Sequence, residues 1–132
     1  MQPFALSINP IHLGPAGKAE VEPEFTGDMA WYEAYLARHA DEGAEGRLVS
    51  LFTFSEPWPM WEMHPNGDEV ILCVSGAMTL IQEASDGSAT PIDLMPGDCA
   101  INPAGTWHTA DAGSGTTALF ITTGKGTQHR AR

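Results

Sequence analysis

From residue 48 onward the chain breaks into short runs rich in aliphatic, β-branched and aromatic residues, each closed off by glycine or proline, and this punctuation constrains the fold most. The runs span 48–54, 70–75, 78–82, 91–94, 99–102, 106–110 and 117–122. Between them stand Gly67, Gly76, Asp86-Gly87, Pro96-Gly97, Pro103 to Gly105 and Gly113 to Gly115. Such an interval of strand and turn signals is that of an all-β barrel or sandwich. Asp86-Gly87 is the strongest hairpin signal, because a tight hairpin turn needs residues tolerant of positive φ.

The rest of the chain reads differently. Residues 1–25 carry Pro3, Pro10, Pro15 and Pro23 with Gly14 and Gly17, a composition that predicts an extended arm over the surface. Residues 28–40 are the one good helix candidate. Asp28 can cap the first turn, Tyr32, Tyr35, Leu36 and His39 recur at helical spacing, and Gly43 follows. The expected organisation is an arm and packed helix over 1–45, a barrel over 46–125 and a tail over 126–132, where His129 and Arg130 either are solvated or reach a pocket or an interface. His12 and His39 carry no spacing signal.

Six Lys and Arg against seventeen Asp and Glu give a formal charge of −11, which repels nucleic acid and anionic lipid. At 132 residues one core is expected. The two cysteines, Cys73 and Cys99, lie in apolar runs and are not spaced as a chelating pair, so both read as buried thiols in a reducing compartment. With no basic leader ahead of an apolar run, and no stretch of membrane-spanning length, the expectation is a soluble cytoplasmic protein.

The chemistry gathers in two stretches. The first is Glu62-Met63-His64-Pro65-Asn66-Gly67-Asp68-Glu69, and the second ends in His108. Side chains alternate along a strand, so Glu62 and His64 share a face that Met63 does not. A turn over 65–68 lets Glu69 return a carboxylate beside them, with His108 arriving from a distant strand. Imidazole and carboxylate together suit a divalent first-row ion such as iron, manganese, nickel or zinc, whereas calcium would want oxygen alone. Trp58 and Met60, with Ile71 and Cys73, are the candidate pocket residues, although core packing explains aromatic bulk here equally well. Trp61 and Trp107 face away from the ligands by parity, toward an outer sheet face or a subunit contact.

These residues resemble the cupins, whose small barrel is of the jelly-roll type. In the first cupin motif two histidines flank one residue and are followed by a glutamate and a glycine; His64, Glu69 and Gly76 match, while Glu62 stands where the first histidine belongs. The second motif runs glycine, proline, glycine, histidine, and Gly97, Pro103, Gly105 and His108 match its order and spacing. Ala112 replaces its usual closing asparagine. The resemblance implies an all-β double-stranded β-helix holding a divalent ion through His64, Glu69 and His108, with Glu62 as a candidate fourth ligand, and a homodimer. Three imidazoles and one carboxylate leave such an ion with net charge +1; a second carboxylate neutralises it and makes it a weaker Lewis acid. Alternatively Glu62 stays off the metal and serves as an acid or base. The leading functional expectation is a metal-dependent, oxygenase-like or isomerase-type enzyme acting on a small organic molecule. The alternatives are a small-molecule-binding module, with or without a structural metal, and a metal-free scaffold.

Overall fold

The computed structural model describes residues 1–132. Alternation of apolar and polar positions turns the punctuated runs into strands: β1 (Ile11–Leu13), β2 (Ala19–Val21), β3 (Arg47–Phe54), β4 (Met60–Met63), β5 (Glu69–Ser75), β6 (Met78–Glu83), β7 (Ala89–Leu94), β8 (Cys99–Asn102), β9 (His108–Ala112), β10 (Thr116–Thr122) and β11 (Gln128–Ala131). A single α-helix, α1 (Met29–Arg38), lies between β2 and β3. All strand pairs are antiparallel. They form a six-stranded sheet in the order β2-β1-β3-β10-β5-β8 and a five-stranded sheet in the order β11-β4-β9-β6-β7.

The inner faces of the two sheets meet in one apolar cluster of Ile71, Cys73, Met78, Leu80, Leu94, Ala110, Ala112, Ala118 and Phe120. Along β5 the inward positions are Glu69, Ile71 and Cys73, so a carboxylate continues the same face that supplies the core. Gly76, after β5, has φ +76°, and a Cβ there would lie 2.8 Å from the Thr116 Cα, so only glycine fits the turn. The β6–β7 hairpin turns at Asp86-Gly87, where the Asp86 carboxylate accepts from the Ser88 N–H at 2.9 Å.

Both ends of the chain depart from expectation. Residues 1–45 do more than run over the barrel: β1 pairs with β3 and β2 with β1, extending the barrel's own sheet. Residues 126–132 are not a free tail, since β11 pairs with β4 from Gln128↔Met63 to Ala131↔Met60. Cys73 is buried, but Cys99 is exposed. Parity explains it: Asn102 faces inward on β8, so Cys99 and Ile101 must face out. No helix is long and apolar enough to cross a membrane.

The helix is capped by Asp28, whose carboxylate accepts from the Trp31 N–H at 3.0 Å. Its buried stripe is Trp31 and Tyr35, packed on Leu48 beside Phe25 and Tyr32, whereas Leu36 is exposed. Trp31 and Tyr35 are four residues apart and so stack on one face. Where α1 ends, a polar clasp ties it to β1 and β2. His12, fully buried, meets the Tyr35 hydroxyl at 2.7 Å and the Glu42 carboxylate at 2.9 Å. His39 meets Glu42 at 2.8 Å through one ring nitrogen and Glu22 through the other, and Arg38 donates to Glu22 at 2.8 Å. The two imidazoles stack with centroids 3.6 Å apart and planes 17° from parallel. Every ring nitrogen of the pair already meets a carboxylate or the Tyr35 hydroxyl, with one Glu42 oxygen shared between the two rings, so the group is a hydrogen-bonded clasp.

Glu22 is 4% exposed and serves both His39 and Arg38. Glu22→Ala should lower folding stability by about 2 kcal/mol, because it leaves the half-buried His39 ring nitrogen and the exposed Arg38 guanidinium without their buried carboxylate partner. Urea denaturation with an unchanged slope checks it; a midpoint equal to wild type would show the clasp to be inert.

Candidate metal centre

Two loops bring the motifs together. The Gly105 N–H donates to the His64 carbonyl at 2.9 Å, and the Ala104 N–H donates to the Asp68 carboxylate at 2.8 Å. Glu62 sits on β4, His64 directly follows that strand, Glu69 opens β5 and His108 opens β9. Glu62 and His108 are register partners. The five-stranded sheet thus supplies Glu62 and His108, and the six-stranded sheet supplies Glu69 from across the barrel.

Ligand atoms of Glu62, His64 and His108 all lie within 4.8 Å of one another. Glu69 stands between the imidazoles: Oε2 is 3.2 Å from the Nε2 of His64, and Oε1 is 3.2 Å from the Nε2 of His108. Glu62 approaches from the outer side, its Oε2 3.8 Å and 4.0 Å from the same two nitrogens. His64, Glu69 and His108 are buried, whereas the Glu62 side chain is 32% exposed.

The hydrogen bonds around the centre orient it. The Thr127 hydroxyl donates to the Gly124 carbonyl and lies 2.8 Å from the Nδ1 of His64, so it accepts from that nitrogen. The Nδ1 of His108 donates to the Thr106 carbonyl at 3.2 Å. Both protons are therefore held on the outer nitrogens, which leaves the two Nε2 atoms facing inward as lone-pair donors. Glu69 receives the Asn102 amide at 3.0 Å on one oxygen and the Thr122 hydroxyl at 2.5 Å on the other. Gln82 donates to the Asn102 oxygen at 2.8 Å, which turns the amide nitrogen toward Glu69.

At the middle of this arrangement the Nε2 atoms of His64 and His108 are buried without any well-aligned hydrogen bond, despite their closeness to Glu69. Buried nitrogens without partners are costly, and here they converge with carboxylate oxygens on one region. That is the donor set of a divalent first-row ion, and His64, His108, Glu69 and Glu62 fit it. Burial opposes ionisation of Glu69, but the imidazoles beside it outweigh burial and hold its carboxyl well below the usual carboxylate range. Burial pulls His108 down, yet the close approach of the Glu69 carboxylate and its charge carry it above the ordinary imidazole value.

The candidate pocket residues fall into two groups. Ile71 and Cys73 belong to the packed core beyond Glu69. Trp58 precedes β4, but its N–H donates to the Ala110 carbonyl at 2.9 Å, and its ring packs on the core and meets His108 edge-on at 6.4 Å. Its indole nitrogen is buried without a partner. Met60 is half-buried at the start of β4. Trp61 and Trp107 lie together with the Arg130 guanidinium over both rings, at 5.1 Å and 4.5 Å from their centroids, so this outer face is covered from within the chain.

Two further residues outside the motifs lie near the centre. His129 on β11 is the register partner of Glu62, its Nε2 3.3 Å from the Glu62 Oε1, and this contact raises the His129 imidazole above its usual range. Tyr32 is held by α1 within the field of Glu62 and Glu69; burial first, then those charges, push its phenol up to about 12.

No protein-family model matches the sequence, and no curated protein matches it. Solved structures do. A mutant of Bacillus subtilis oxalate decarboxylase aligns with 70% of this chain at 18% identity and a TM-score of 0.53, the chain spanning 26% of that protein. Hydroquinone 1,2-dioxygenase from Sphingomonas sp. TTNP3, with 4-hydroxybenzoate bound, aligns with 58% of this chain and 58% of its own, at 16% identity and a TM-score of 0.50. A cupin superfamily protein from Desulfitobacterium hafniense shares 26% identity over 58% of this chain and 65% of its own, at a TM-score of 0.48. The likeness is one of fold.

Both tyrosines of the chain are shifted upward, since burial acts on Tyr35 as it does on Tyr32. In the unfolded chain tyrosine ionises near 10.0. At that pH the folded protein should show almost no tyrosinate absorbance, against about half ionisation in urea. Stability should fall as pH rises above that value, because the unfolded state releases protons that the folded state keeps. Appreciable tyrosinate in the folded protein at that pH would refute the burial argument.

Proposed function

We propose, from the premise that the chain has the cupin fold, that it is a divalent-metal enzyme of oxygenase-like character acting on a small organic molecule. One observation carries the reading: two buried imidazoles, their outer nitrogens already donating, present unpartnered Nε2 atoms beside an ionised, hydrogen-bonded carboxylate. His64, His108 and Glu69 would hold the ion, with Glu62 as the fourth group. When bound, the ion supplies Lewis-acid polarisation of a coordinated oxygen.

The chain's own residues do the remainder. Asn102 and Thr122 fix the Glu69 carboxylate, so little reorganisation accompanies binding. Trp58, Phe54 and Phe120 form an aromatic wall that excludes bulk water on the side of His108. The free Trp58 indole N–H is available to a bound molecule's oxygen. Glu62, partly open to solvent, either completes the sphere or moves a proton at a coordinated ligand. With two carboxylates the loaded centre is close to neutral, which favours a hard ion such as manganese or iron(II) and an uncharged or weakly acidic substrate. Two fold neighbours are enzymes, a dioxygenase and a decarboxylase, which supports a catalytic reading without choosing the reaction.

A binding module without chemistry is the second reading. It is favoured by the packed interior beyond Glu69, where Ile71 and Cys73 are fully buried and only Glu62 of the four candidate ligands is open to solvent. A small molecule is the partner under either reading.

Elemental analysis and manganese(II) titration test the assignment. Wild type should take up one ion per chain, and His64→Ala and His108→Ala should each lose retention while keeping the circular dichroism of the barrel, whose core is apolar. Equal metal content in mutant and wild type would defeat the site. Glu62→Gln separates its two roles: as a ligand it should weaken the ion by about tenfold or more, whereas as an acid or base it should leave the ion in place and abolish turnover.

A further inference from the structure

We infer that the C-terminal strand completes the centre, with His129 acting as a positioning residue that holds the Glu62 carboxylate toward the ion. This rests on the metal-centre reading above. The register pairs His129 with Glu62 and Glu62 with His108, so the three side chains form one cross-strand row on one face of the five-stranded sheet. The two oxygens of Glu62 are divided between the neighbours. Oε1 lies 3.3 Å from the Nε2 of His129, and Oε2 faces the inward nitrogens of His64 and His108 at 3.8 Å and 4.0 Å.

Every other member of the centre is held by a group outside it: His64 by Thr127, His108 by the Thr106 carbonyl, Glu69 by Asn102 and Thr122. Glu62 has His129 alone in that role. It is also the most exposed of the four, so its rotamers would otherwise be free to swing into solvent. A carboxylate that must be ordered at the moment of binding contributes less to affinity than one already in place.

β11 is built to deliver this side chain and has little apolar surface to hold it otherwise. Arg130, next in sequence and therefore on the opposite face, lies over Trp61 and Trp107 and pairs with Glu83. Arg132 donates to the Trp58 and Ala110 carbonyls at 3.1 Å and 3.2 Å and pairs with Asp111 at 2.5 Å. Two arginines thus anchor the strand from outside, and His129 between the first of them and Gln128 is set against Glu62.

Manganese(II) titration of the full chain tests this with wild type, His129→Ala, His129→Gln, Glu62→Gln and the double variant Glu62→Gln with His129→Ala. His129→Ala should weaken manganese by about tenfold, as loss of an outer partner does. His129→Gln, which keeps an N–H donor within reach of Oε1, should recover most of that loss. In the Glu62→Gln background the alanine change should have no further effect, because the carboxylate through which it acts is gone. Equal affinities of His129→Ala and wild type would overturn the inference alone, as would an undiminished loss in the Glu62→Gln background, which would mark a general loosening of the strand. Failure of wild type to bind manganese would overturn the metal-centre reading and this inference with it.

Discussion

The structure depends on one electrostatic demand: the Glu69 carboxylate, buried between two imidazoles, needs positive charge beside it. Burying an ionised carboxylate without compensation is prohibitive. The chain meets part of the demand with neutral donors, the Asn102 amide and the Thr122 hydroxyl. The rest falls to the imidazole side, where two inward nitrogens lack aligned partners. A proton on each nitrogen or a shared divalent ion would both supply the charge. Only the ion uses the convergence of all the donor atoms, while either choice keeps the outer hydrogen bonds to Thr127 and Thr106.

The chain contains a second group of histidines and glutamates, and the contrast between the two clarifies what makes a centre. In the clasp, the rings of His12 and His39 stack and their nitrogens end on carboxylates or the Tyr35 hydroxyl. Each donor there already has a partner, so the group orders the amino-terminal strands and α1. In the centre the rings of His64 and His108 are tilted 39° with centroids 5.2 Å apart, and their nitrogens point to a common region. Similar residue types thus yield a structural fastening in one place and an open donor set in the other, and whether the ring nitrogens already have partners decides which.

Much of the barrel could be read from residue order. The apolar run 70–75, closed by Gly76, marks β5, and the positive φ at Gly87 agrees with the Asp86-Gly87 hairpin. Asp28 caps α1 as its residue type predicts. Reading failed where apolar patterning was weak. β2 and β11 are short and mostly polar or exposed, and they are held by pairing to a neighbour or by one arginine lying on two tryptophans, neither of which leaves a periodic trace. His12 and His39 carry no spacing signal for the same reason: each acts through a partner distant in sequence. Trp31 was missed from the helix stripe because α1 docks on Leu48 and Phe25, and the docking angle is a property of the pair.

The order of residues alone determined that the chain makes a β-barrel, and it placed Glu62, His64, Glu69 and His108 at motif positions, because strand alternation and turn geometry are local and survive in one dimension. Only the tertiary structure decided that the last strand closes beside Glu62, that two histidines stack while two others converge, and which nitrogens remain unpartnered. Those outcomes depend on distances and directions between segments tens of residues apart, which sheet register and side-chain packing set together.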